Sequence, residues 1–209
     1  MIRALALTGL AMALCSAPLA AQPAVQDDAA ARAALGAFGR CVAAEEPEES
    51  ARVMGLDFTT ARYRTALRLL ADEARRDCSD DAVGSGNALR SGNLLMAGAI
   101  AEGLLGRHAE PLNVRLARAA QASVPTYSPT DAIAQCLARS LPDQTARLFA
   151  SDPATAQEAA TAGELQAATP ACARVTGTDI RMEASVPALR AMLATATFRL
   201  LNTGESDHG

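Results

Sequence analysis

The chain has no tryptophan and no lysine among its 209 residues, three per cent aromatics and two histidines. So few flat side chains argue against a stacking platform for carbohydrate or for nucleic-acid bases. A net charge of −4 removes the electrostatic case for nucleic acid as well. All 19 basic residues are arginine and 50 residues are alanine, a bias that most simply reflects a GC-rich genome. No serine sits in a nucleophile elbow, and there is no glycine-rich phosphate loop or helical zinc motif. No C-x-x-C pair exists to place two thiolates on one metal. Neither a metal nor a cofactor is therefore expected. Beyond residue 22 no apolar run approaches the roughly 20 residues that a membrane span needs.

What is present begins with MIRALALTGLAMALCSAPLAAQ. Arg3, the apolar run Ala4–Leu14 and the small residues around Pro18 have the order of a secretory signal peptide. Cleavage fits best after Ala21, with Ala20 the neighbouring choice. Cys15 would be the acceptor in a lipoprotein, but Leu14 stands where a small residue is needed, so a lipid anchor is not expected. The mature chain should be a periplasmic or secreted protein.

Removing the leader leaves four cysteines, Cys41, Cys78, Cys136 and Cys172. An even number in an exported chain implies two disulfides, because that compartment is oxidising. The spacings are 37 and 36 residues, and an offset of 95 aligns much more than the cysteines. CVAAEEPEESARV matches CLARSLPDQTARL, and nine identities fall within positions 41–70, including Pro47 with Pro142 and Asp57 with Asp152. An internal duplication explains this order. Each copy would then close its own bridge, Cys41–Cys78 and Cys136–Cys172; the swapped pairing, Cys41–Cys172 with Cys78–Cys136, also keeps the symmetry.

Apolar residues at helical spacing (Ala31, Leu35, Phe38, Val42) predict a helix that Asp27 or Asp28 caps. Pro47 and Pro142 each suit the first turn of a following helix, where Glu48, Glu49 and Asp143 favour the dipole. EEPEE is thus read as the start of a helix rather than as a metal or acid–base site. Asp57 and Asp152 are expected to cap the next helices, which end at the second cysteine of each copy. The second of these looks interrupted by Gly163 and Pro170. Ile180, Met182 and Ala184 alternate, as a short extended segment would. Two strongly apolar stretches, LLMAGAIAEGLLGRH and VPALRAMLATATFRLL, should be buried helices.

The predicted architecture is all-α: two pseudo-symmetric, disulfide-pinned modules of about three helices, packed as one body. The boundaries are a signal peptide at 1–21, an N-terminal segment at 22–27, module one at 28–122, a linker at 123–130, module two at 131–202 and a disordered tail at 203–209. Three polar residues are candidates for function. Glu102 interrupts the apolar run AGAIAEGLL; it either faces water, the plainer expectation, or is a buried carboxylate with a partner. Arg52 and Arg147 recur at matched positions, to bridge a carboxylate or to anchor an anionic ligand.

The FGRC helix, the Tyr63 helix ending in Cys78, LRSGNLLMAGAIAEGLL and RMEASVPALRAMLATATFRLL together resemble a family of uncharacterised exported proteins of Gram-negative bacteria. The resemblance covers most of the mature chain and implies export without implying an activity. Tyr63 in one half stands where Glu158 stands in the other, so the halves are not chemically alike. These features point to a non-catalytic binding or interaction protein whose partner is an envelope protein or cell-envelope component. The alternatives are a small periplasmic enzyme using carboxylate acid–base chemistry, with Glu102 as its candidate, and an envelope structural or stress factor.

Overall fold

The computed structural model describes residues 23–82 and 92–202, with side chains described over 29–78 and 92–202. The leader, the glycine-bearing part of the loop after Cys78 and the tail GESDHG lie outside the described residues.

Helix α1 (Pro23–Glu45) is followed after one residue by the short α2 (Pro47–Met54), then by α3 (Ala61–Ala82) and α4 (Asn93–Leu105). Helix α5 (Leu112–Arg118) and one 3₁₀ turn (Ala119–Gln121) lead to the second half. There the order recurs: α6 (Pro129–Ser140), α7 (Pro142–Ala150), α8 (Ala156–Thr176) and α9 (Val186–Asn202). Each half therefore has four main helices where about three were expected, and the proline-started helix expected in each is a separate element. Proline supplies the reason. Pro47 and Pro142 occupy the first helical turn, where a missing N–H costs nothing, and both force a break from the helix before.

The caps differ from expectation. Asp27 and Asp28 fall inside α1, which starts at Pro23. Asp57 and Asp152 do not cap α3 and α8 either; Thr60 and Thr155 do. The Thr60 hydroxyl accepts from the Tyr63 N–H at 3.2 Å and donates to the Asp57 carbonyl at 2.7 Å. Thr155 repeats this with the Glu158 N–H at 3.2 Å and the Asp152 carbonyl at 2.8 Å. A threonine hydroxyl three residues before a free first-turn amide is placed to accept from it. The aspartates stand three residues too early for that and use their backbone carbonyls instead. The Asp57 carboxylate turns to Thr59, accepting from its N–H at 2.9 Å and its hydroxyl at 2.6 Å.

Helix α8 runs through Gly163 and Pro170 without a break. Pro170 is exposed, and the Gln166 carbonyl that its N–H would have met accepts from the Thr169 hydroxyl at 2.9 Å. The opposite face, with Leu165 and Cys172, is buried. The chain over 178–185 is irregular and not a strand, though Met182 is buried there as alternation would have it.

Two disulfides, Cys41–Cys78 and Cys136–Cys172, tie α1 to α3 and α6 to α8. The swapped pairing is thereby excluded. Each half has its own apolar cluster, but the two are continuous: Ala194 and Phe198 of α9 belong to the first, and Leu112, Phe149 and Leu201 pack against both. No described helix is long and apolar enough to cross a membrane.

Helix α4 is the centre of the body, buried along most of its length. It meets α1 and α9 through residues with almost no side chain, since a Cβ on Gly39 would lie 2.3 Å from the Ala99 carbonyl carbon. One on Gly98 would lie 2.5 Å from the Ala191 Cβ. Gly39→Ala should therefore cost about 1–3 kcal/mol through forced separation of α1 and α4. Gly163→Ala has nothing within 4 Å of its Cβ and should stabilise the exposed face of α8 by about 0.5–1 kcal/mol. Urea midpoints of the two variants should shift in opposite directions, and a shared direction would refute the close-approach account.

Candidate functional site

The break in the apolar run of α4 has a specific cause. Glu102 is not a free solvent-facing carboxylate: its side chain is partly buried, 23% exposed, and pairs with Arg190 of α9, itself buried. The Arg190 Nε donates to one Glu102 oxygen at 2.8 Å and Nη2 to the other at 2.7 Å. The remaining N–H groups go to the Ser151 carbonyl at 2.9 Å, the Phe149 carbonyl at 3.3 Å and Glu158 at 3.1 Å. All five donors of the guanidinium are satisfied. The plainer sequence expectation for Glu102 fails because α9 carries its cation to this point across 88 residues of chain.

Glu158, only 1% exposed, continues the network. It also accepts from Arg32 of α1 at 2.6 Å and from the Ala154 N–H at 2.9 Å. Ala154 has φ +61°, a left-handed conformation uncommon outside glycine. That strain sits where the turn before α8 aims its amide at the carboxylate. Burial alone would push the Glu158 carboxyl up, but the hydrogen bonds from Arg32, Ala154 and Arg190 outweigh it and hold it below the usual range. Burial works against the charge of Arg190 too, and pairing with Glu102 and Glu158 outweighs it, so its guanidinium is held more firmly protonated than usual.

Arg32, Glu102 and Arg190 of this network line the inner wall of a cleft of about 580 Å³ between the halves, walled by α1, α4, α7, α9 and the turn before α8, and Glu158 lies behind that wall. The volume is that of a small-molecule site. Leu35, Leu95, Leu105, Leu112 and Phe149 give it apolar surface. Arg40, His108 and Asp152 stand exposed at its edges.

A second cavity of about 300 Å³ lies at the equivalent place in the other half, walled by α6, α9, α4 and the turn before α3. Here a buried cation lines the space. Arg199 pairs with Asp131 and lies over the rings of Phe58 at 5.4 Å and Tyr127 at 5.6 Å. Those rings meet edge to face. Tyr63, the counterpart of Glu158, also lines this cavity, and burial pushes its phenol up to about 12 against a smaller opposing pull from Arg199.

Arg52 and Arg147 lie away from both cavities. Arg52 pairs with Glu49 one turn earlier, its Nε at 2.6 Å, and Arg147 reaches Glu164 of α8 at 2.7 Å. Both pairs are exposed, which makes each worth little. Four residues that sequence reasoning passed over, Asp131, Glu158, Arg190 and Arg199, carry the buried charge, with the half-buried Arg32 beside them. A signal existed for two of them: Arg190 and Arg199 interrupt an apolar helix just as Glu102 does. Among the described residues no group of three or more His, Cys, Asp or Glu is placed to hold a metal ion. No protein-family model matches this chain, and no curated protein and no solved structure matches it.

Proposed function

We propose that the chain is an exported, non-catalytic binding protein of the periplasm or another extracytoplasmic space, and that the cleft between its halves is its ligand seat. Two disulfides suit an oxidising compartment, and the N-terminal 21 residues have the form of a leader. The matched order of helices and bridges supports reading the chain as a duplicated module, of the exported Gram-negative kind it resembles. The observation that carries the binding reading is the state of the carboxylates in and behind the cleft wall. Both Glu102 oxygens are taken by Arg190, Glu110 is held by Arg118, and Glu158 behind the wall is held ionised by three donors. A general acid needs a carboxyl that keeps its proton near neutral pH, so this arrangement favours a fixed, charged wall over proton transfer.

Native mass spectrometry of the protein from the extracytoplasmic fraction tests this. The expected result is a chain starting at Gln22 that carries a bound species, and an Ala150→Trp variant, with its cleft filled, that does not. Retention in the cytoplasm, or bare chain in both proteins, would overturn the proposal.

A further inference from the structure

Resting on that reading, we propose that the cleft takes a short peptide or a zwitterion of that size, with its carboxylate at Arg40 and its ammonium at Asp152. Most charges lining the cleft already have partners. Arg190 is saturated and holds Glu102, Arg32 is paired with Glu158 behind the wall, and Glu110 is held by Arg118 at 2.5 and 3.1 Å. Among the described residues, Arg40, His108 and Asp152 have no hydrogen-bond or ion-pair partner for their side chains.

These three stand at opposite ends. Arg32 pairs with Glu158, which takes the Ala154 amide, so the Arg32 end of α1 lies by the turn that carries Asp152. The Arg40 end lies by the C-terminus of α4: a Cβ on Gly103 would come within 2.9 Å of the Arg40 Cα, and Arg107 donates to the Ala43 carbonyl at 3.1 Å. His108 follows directly. Eight helical residues separate Arg32 from Arg40, a rise of about 12 Å. An extended peptide covers about 3.3–3.6 Å per residue, so three to four residues span the distance.

The middle of the cleft suits such a ligand. Gly36 lies halfway along α1 and leaves its backbone open, with only Arg40 Nη1 within 4 Å of where a Cβ would be. Leu35, Leu95 and Phe149 offer apolar contact to side chains. Arg32 uses one amino group on Glu158 and keeps its other donors for a peptide carbonyl. An amphipathic acid such as a fatty acid would satisfy Arg40 but lay its alkyl tail against the Asp152 carboxylate, a mismatch that a ligand with an ammonium avoids.

Calorimetric titration with leucyl-alanyl-leucine, its N-acetyl and C-amide forms, and dodecanoate tests the proposal. The free tripeptide should bind about tenfold tighter than either blocked form. Asp152→Asn should abolish the penalty for acetylation alone, and Arg40→Gln the penalty for amidation alone. Both side chains are exposed, so the variants should fold. Equal affinity for free and blocked peptides, or binding of dodecanoate without the tripeptide, would overturn the peptide assignment while leaving a ligand cleft. Absence of binding by every probe, with bare chain in native mass spectra, would overturn both readings.

Discussion

Glu158→Ala should be among the most damaging single substitutions in the chain, at about 3–5 kcal/mol, because it leaves Arg190 buried with one of its carboxylates gone and Arg32 unpaired. The same change also frees the Ala154 amide, whose left-handed backbone is held where the carboxylate needs it. Two comparisons separate charge from shape. Glu158→Gln keeps an acceptor and should cost less than the alanine, whereas a joint replacement of Glu102, Glu158 and Arg190 by apolar residues of similar volume should cost less than the sum of the three single changes. Buried ion pairs are expensive to break and far less expensive to remove together.

The pH dependence follows from the sign of the Glu158 shift. Its folded value lies below the ordinary 4.5. The contribution is therefore complete above about 4.5 and is lost as the pH falls through the lower folded value. Urea unfolding midpoints measured from neutral pH down into that range should decline more steeply for the wild type than for Glu158→Gln. Parallel curves would show that the Glu158 charge contributes nothing.

Loss of either disulfide should cost about 2–5 kcal/mol, with the chain-entropy model giving about 4 kcal/mol for each loop. Loops of 37 and 36 residues make the unfolded-state effect nearly equal. What distinguishes the bridges is the helix each one holds. Helix α3 buries Tyr63, Leu67 and Leu70, whereas α8 buries Leu165 among smaller side chains such as Thr161, Ala162 and Thr169, and loses an amide donor at Pro170. Removing Cys136–Cys172 by paired Cys→Ser substitution should raise hydrogen exchange throughout α8 more than removing Cys41–Cys78 raises it in α3. Equal exchange in both helices would mean that packing, rather than the bridge, anchors α8.

Much of this fold was legible in the chain because its signals are local. Proline at the first turn, apolar spacing along α1 and α3, and the matched cysteines each act within a few residues or through a repeat that can be counted. The expected bridges follow from that. Local reasoning also failed locally. Asp57 and Asp152 looked like caps by type, but Thr60 and Thr155 stand three residues before the amide that needs an acceptor. Pro170 looked like a break, but its face of α8 is exposed and Thr169 supplies the carbonyl with a substitute donor.

The sequence by itself determined that the chain is helical and where its two proline-started helices begin, and it narrowed the cysteine pairing to two symmetric choices. Only the tertiary structure decided that Glu102 is a partly buried ion-pair partner and that four charges from α1, α4, α8 and α9 meet at the wall of one cleft. The physical reason lies in the crossings. Glycine and alanine at Gly39–Ala99 and Gly98–Ala191 let three helices approach closely, and that approach sets which charges can touch. A carboxylate on an apolar helix announces that it needs a partner. Where the partner comes from depends on how the helices cross.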